Sequence, residues 1–127
     1  MSVLGELQPN KVFKYFEEIC SIPHGSRNLQ QISDYLVDFA KAHELKYRQD
    51  EDLNVIIWKD GSKGYEASEP VILQGHMDMV AVKEADCDKD MEKEGLDLEI
   101  NGDYISAKGT SLGGDDGIAV ALSLIHI

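Results

Sequence analysis

The stretch Pro70–Val80 reads PVILQGHMDMV. A short, mostly apolar run, Val71 to Gln74, leads directly into the triplet His76-Met77-Asp78. A run of this kind is the pattern of an interior strand covered on both faces. Side chains two apart on a strand share a face, so His76 and Asp78 point the same way if the strand extends through them. A neutral imidazole is a good zinc ligand, and a nearby carboxylate can hold such a ring in place. The plainer reading is a surface histidine and aspartate at the end of a strand.

A second unusual stretch, Leu112-Gly113-Gly114-Asp115-Asp116-Gly117, precedes the small, apolar IAVALSLI. Adjacent carboxylates repel each other unless a cation or hydrogen bonds offset them. Glycines on both sides allow tight backbone paths. A helix starting here would turn its free N–H groups toward a carboxylate or an anion. Asp115 or Asp116 has two oxygens and could bridge two metals in a hydrolytic site. The alternative is a turn with an acidic N-cap.

The remaining elements can be arranged around this pair. Val12, Phe13, Tyr15, Phe16 and Ile19 predict a short amphipathic helix with Asn10 as N-cap. It should stop near Ser21-Ile22-Pro23, because a residue before proline avoids the helical region. Asn28 to His43 predicts a second helix, with Ile32, Leu36 and Phe39 on its apolar face. Glu44–Gln49 and Leu53–Trp58 read as strands joined by an Asp50-Glu51-Asp52 turn, and Lys59–Glu69 as a polar loop. Leu96, Leu98 and Ile100 alternate within the acidic stretch Glu84–Asp103, Asn101-Gly102 is a tight-turn signal, and Tyr104–Ala107 is the returning strand. Ile118–Ile127 predicts the start of a helix that is apolar on most sides. Such a helix needs cover, so the chain is expected to be a piece of a larger protein.

The chain has 127 residues, 43% hydrophobic and 28% charged, which suits one globular domain. A net charge of -12 argues against partners such as nucleic acid backbones or anionic membranes. No segment resembles a signal peptide or a membrane span. Cys20 and Cys87 form neither a disulfide framework nor a zinc knuckle, which fits a reducing, cytoplasmic setting.

Other candidates are weaker. Asp86, Asp88 and Asp90 echo a calcium loop, but Met91 and Asp97 stand where glycine and glutamate belong. His24 reads as a turn histidine, His43 as a helix-end cap, and His126 lies in an apolar segment. Ser111 lacks a nucleophile elbow.

Taken together, GHMDMV and TSLGGDDG resemble the M20 metallopeptidase family, with its aminoacyl-histidine (Xaa-His) dipeptidase branch the nearest match. VFKYFEEICSIPHGSRN and ISDYLVDFAKAHELKYRQDEDLNVII fit the same branch. The resemblance implies an α/β fold: part of a three-layer α/β/α zinc-peptidase domain with a mixed sheet. Residues 1–127 would be its N-terminal part, cut before the remaining active-site segments. It implies two divalent metal ions, zinc foremost, and a small peptide substrate. By resemblance His76 and Asp115 are metal ligands, Asp115 bridging both ions. Asp78 is the catalytic-site carboxylate beside His76, and Asp116 shapes a turn whose preceding peptide bond is often cis. The family's general base belongs to a Glu-Glu pair beyond the bridging aspartate, and residues 118–127 hold no carboxylate. The chain alone is therefore expected to be inactive, to bind zinc poorly and to self-associate through uncovered surfaces. The rivals are a tripeptidase or amino-acid deacylase of the same family, and a non-enzymatic acidic α/β interaction domain.

Overall fold

The computed structural model describes residues 1–127. Its elements run α1 (Asn10–Cys20), α2 (Gln30–Ala42), β1 (Lys46–Gln49), β2 (Val55–Trp58), β3 (Leu98–Asn101), β4 (Tyr104–Ala107) and α3 (Gly114–Leu124).

The helical spacing of Val12, Phe16 and Ile19 sets the buried face of α1. The helix begins one residue earlier than the Asn10 cap implies. Pro9 takes the entry position, where its carbonyl accepts from the amides of Val12 and Phe13. Proline suits that position because its φ is fixed and it has no N–H to satisfy. Asn10 instead donates its side-chain amide to the carbonyl of Gly5 at 2.8 Å. The helix gives way at Ser21, ahead of Pro23, as predicted. α2 starts two residues inside its predicted range, and His43 Nδ1 donates to the Phe39 carbonyl at its end. Phe39 meets Tyr15 edge-on, with centroids 5.3 Å apart, which ties α2 to α1.

β1 and β2 form the predicted antiparallel hairpin, with Lys46 opposite Trp58 and Gln49 opposite Val55. Asp50 holds its turn by accepting from the amides of Asp52 and Asn54. α2 backs this hairpin, and buried Ser33 donates to the Leu53 carbonyl at 2.7 Å. β3 and β4 form a second antiparallel hairpin. Gly102, at φ 61°, makes its tight turn in a region where a Cβ is unfavourable.

One core joins the three helices to the inner edge of the second hairpin. Leu4, Ile32 and Ala121 are its most buried members, with Leu98 and Ala107 at the margin. Gly117 lets α3 lie against α1, since a Cβ there would stand 3.2 Å from the Phe16 ring. α3 ends at Leu124, short of the predicted Ile127, and leaves Ile118 and Leu122 exposed on its outer side.

The architecture is a mixed α/β domain, but the predicted mixed sheet is not formed within these residues. The two hairpins are separate two-stranded antiparallel sheets. Val71–Gln74, predicted as an interior strand, pairs with neither of them. Val71 and Ile72 are 82% and 86% exposed. The run leaves its apolar side chains in solvent. A strand exists only through ladder hydrogen bonds with a neighbour, and neither hairpin runs alongside this segment.

Candidate functional site

The site is built where three loops meet. The Pro23–Ser26 turn runs beside residues 76–80: the Met79 amide donates to the His24 carbonyl and the Ser26 amide to the Met79 carbonyl, both at 3.0 Å. Gly25 and Met79 form a parallel bridge. Gly25 is required there, because a Cβ would fall 2.8 Å from the Ala81 methyl. Met79 and His24, joined by that backbone hydrogen bond, are both buried. His24 Nδ1 donates to the Ile22 carbonyl at 2.6 Å. Burial pushes the His24 pKa down, against opposing effects of that hydrogen bond and of the Asp78 charge. A neutral, bonded imidazole fits the structural reading of His24 made from sequence.

The third loop is Leu112–Asp116. Gly113 takes φ 73° over Met79, where a Cβ would meet the sulfur at 3.0 Å. Asp115 and Asp116 are not helical, and the peptide bond between them is cis. Regular helix follows from Gly117, whose amide donates to the Gly113 carbonyl. The Asp116 carboxylate accepts the His76 backbone N–H at 3.2 Å. Gly75 permits this approach: a Cβ there would lie 3.1 Å from Asp116 Oδ2 and 3.2 Å from the Ala119 methyl.

These loops bring His76, Asp78 and Asp115 together. His76 Nδ1 is 2.9 Å from Asp78 Oδ1 and 3.0 Å from the Asp78 carbonyl oxygen. Both partners are acceptors, which assigns a proton to Nδ1. His76 Nε2 lies 3.1 Å from Asp115 Oδ1. The other Asp78 oxygen accepts from Ser26 Oγ at 2.6 Å. The His76 side chain is half exposed, that of Asp115 is 95% exposed and that of Asp78 is 35% exposed.

The charges respond to these contacts. Desolvation acts to lower the His76 pKa, but hydrogen bonds to Asp115 and then Asp78 outweigh it and raise the imidazole above its ordinary value. The Ser26 hydroxyl holds the Asp78 carboxyl below its usual range, with His76 adding to the effect and desolvation opposing it.

An imidazole nitrogen and a carboxylate oxygen thus converge, the donor types that zinc takes. No group of three or more His, Cys, Asp or Glu side chains gathers to hold an ion. Zinc sites draw three or four ligands from protein, so the donors present fit part of a metal centre. The remaining candidates stand apart. His43 stacks on Phe39, and His126 lies past the end of α3. Burial pushes the Cys20 thiol up to about 12, which leaves it a thiol at neutral pH. Sequence reading paired neither Ser26 nor Gly75 with this cluster. Only Ser26 had a local cue, its place in the Pro-His-Gly-Ser turn.

No protein-family profile matches the chain. The cytosol non-specific dipeptidase of Escherichia coli (strain K12) is 39% identical over 124 residues, covering 98% of this chain and 26% of that protein. The crystal structure of aminoacylhistidine dipeptidase from Vibrio alginolyticus superposes with a TM-score of 0.92 at 35% identity, over 97% of this chain and 25% of that one. The chain spans about a quarter of the length of each.

Proposed function

We propose, for a chain that belongs to the M20 metallopeptidase family, that it carries one part of the active site of a cytoplasmic dipeptidase acting on Xaa-His peptides. The observation that carries this reading is His76 held between Asp78 and Asp115. Asp78 accepts the hydrogen bond of Nδ1–H, so that Nε2, on the Asp115 side of the ring, is the nitrogen that would face a divalent ion, zinc foremost. Asp115, nearly fully exposed, has a second oxygen available for a second ion. Asp116 binds the His76 backbone and so keeps the two loops together while remaining outside the ligand set.

When bound, the two ions supply an acidified water and polarise the peptide carbonyl. The group that accepts the proton of that water comes from elsewhere in the parent protein, as do the remaining ligands. The same completion turns Val71–Gln74 into an interior strand of a three-layer α/β/α domain with a mixed sheet. In isolation, the exposed apolar side chains of that segment favour self-association.

A chimera tests this reading. The 127-residue chain replaces the matching quarter of the Escherichia coli dipeptidase, and hydrolysis of Xaa-His dipeptides, a tripeptide and an N-acyl amino acid is followed with and without zinc. Zinc-dependent dipeptide hydrolysis that is lost in His76→Ala and Asp115→Ala is expected. A folded chimera that binds zinc yet hydrolyses only the tripeptide or the acyl substrate would contradict the dipeptidase assignment.

A further inference from the structure

The geometry points to Ser26 as a positioning residue that orients Asp78, and through Asp78 sets which nitrogen of His76 faces the metal. This rests on the metal-site reading above. Ser26 Oγ is 2.6 Å from Asp78 Oδ2, while its other acceptor, the Met79 carbonyl, is at 3.4 Å. The hydroxyl proton therefore goes to the carboxylate. A carboxylate fixed through one oxygen presents the other in a set direction, and Asp78 Oδ1 points at His76 Nδ1, 2.9 Å away.

Ser26 is itself well placed. Its amide donates to the Met79 carbonyl, and the neighbouring Gly25 packs where no Cβ would fit. The backbone of the Pro-His-Gly-Ser turn is thus pinned beside the His-Met-Asp segment independently of the serine hydroxyl. The hydroxyl adds one thing, control of the Asp78 carboxylate.

That control matters because His76 faces acceptors on both sides. Nδ1 has two, the Asp78 carboxylate and carbonyl, and Nε2 has one, Asp115. Asp115 is nearly fully exposed, and water competes for its hydrogen bonds. With Asp78 held by Ser26, the neutral ring keeps its proton on Nδ1 and offers the Nε2 lone pair to a metal. With Asp78 free to rotate, Nδ1 keeps only the Asp78 carbonyl as acceptor, and the Nε2–H form, bonded to Asp115 and blocked as a ligand, gains population. Hydrogen-bond partners of metal-bound histidines act in this way on tautomer and affinity.

The test uses the 127-residue chain and two variants, Ser26→Ala and Ser26→Thr. The first readout is the pair of His76 ring nitrogen NMR shifts at alkaline pH, where the ring is neutral. The second is titration with zinc alone. The wild-type chain is expected to show the Nδ1–H tautomer in excess. Ser26→Ala shifts the population toward Nε2–H and weakens zinc binding about tenfold. Ser26→Thr restores both, since it keeps the hydroxyl and Ser26 is an exposed residue. An unchanged tautomer ratio in a folded Ser26→Ala overturns the proposal. Tight binding is not required of two ligands, but wild-type His76 shifts that do not move even at millimolar zinc overturn the metal-site reading instead, and the tautomer comparison still decides the role of Ser26.

Discussion

Gly75 offers a way to pry the two halves of the site apart without deleting a polar group. In Gly75→Ala the new methyl would stand 3.1 Å from Asp116 Oδ2, 3.2 Å from the Ala119 methyl and 3.5 Å from the Val120 nitrogen. The Asp116 side chain can swing aside, but Ala119 and Val120 are fixed in α3. The segment carrying His76 must therefore withdraw by a few tenths of an ångström. The His76 N–H to Asp116 bond, already 3.2 Å long, then stretches beyond useful length. Overpacking of this kind costs about 1–3 kcal/mol. Removing glycine from the unfolded chain returns about 0.4–1 kcal/mol. A net loss of about 1–2 kcal/mol is expected, with the exposed hydrogen bond adding at the low end of its range. Gly114→Ala is the control, because nothing lies within 4 Å of its Cβ and its φ is not positive. It should stay within about 0.5 kcal/mol of wild type. Urea unfolding followed by circular dichroism measures both. Equal stability of Gly75→Ala and wild type, or an equal loss in Gly114→Ala, would refute the packing argument.

Three further outcomes are expected. Ile32→Ala, at a fully buried core position, should cost about 2–5 kcal/mol in the same urea assay, whereas Val71→Ala, on an exposed segment, should change stability by less than about 0.5 kcal/mol. In the native chain, Cys87 should react with a thiol reagent well before Cys20, whose burial raises its pKa to about 12; equal rates would contradict that burial. The pH dependence should have two limbs of opposite sign. The raised His76 pKa gives a contribution that is complete below the ordinary histidine value and fades as pH rises through the folded one. The lowered Asp78 pKa gives a contribution that is complete above the ordinary carboxylate value and fades as pH falls through the folded one. NMR titration of His76 in wild type and Asp78→Asn checks the first limb, and a His76 pKa that does not fall in the variant would count against the contact.

Much of this fold was legible in local pattern. The spacing of Phe16 and Ile19, and of Ile32, Leu36 and Phe39, encodes two helices whose buried faces can be read from side-chain period alone. Asp50 and Gly102 mark the two hairpin turns because their chemistry acts within a few residues. The Val71–Gln74 strand failed for a different reason. An apolar run encodes the need for cover but not the identity of the segment that supplies it, and no ladder partner reaches it here. Asn10 was displaced as cap by Pro9, a contest between neighbours that propensity does not rank. The candidate site divides in the same way. His76, Asp78 and Asp115 stood out because each lies in a compact motif. Ser26 meets Asp78 across 52 positions. Its partner is chosen by the packing of two loops over Met79, and no periodicity records that.

The most direct test of the central claim is dipeptide turnover by the purified 127-residue chain, Xaa-His substrates included, with zinc added or withheld and bound metal counted in the same sample. The His76–Asp115 pair supplies two ligands and no glutamate base, so the expected result is no turnover and well under one tightly held ion per chain. Zinc-dependent turnover that disappears in both His76→Ala and Asp115→Ala would contradict it, and would mean that these residues work in a complete centre assembled by this chain or by its copies.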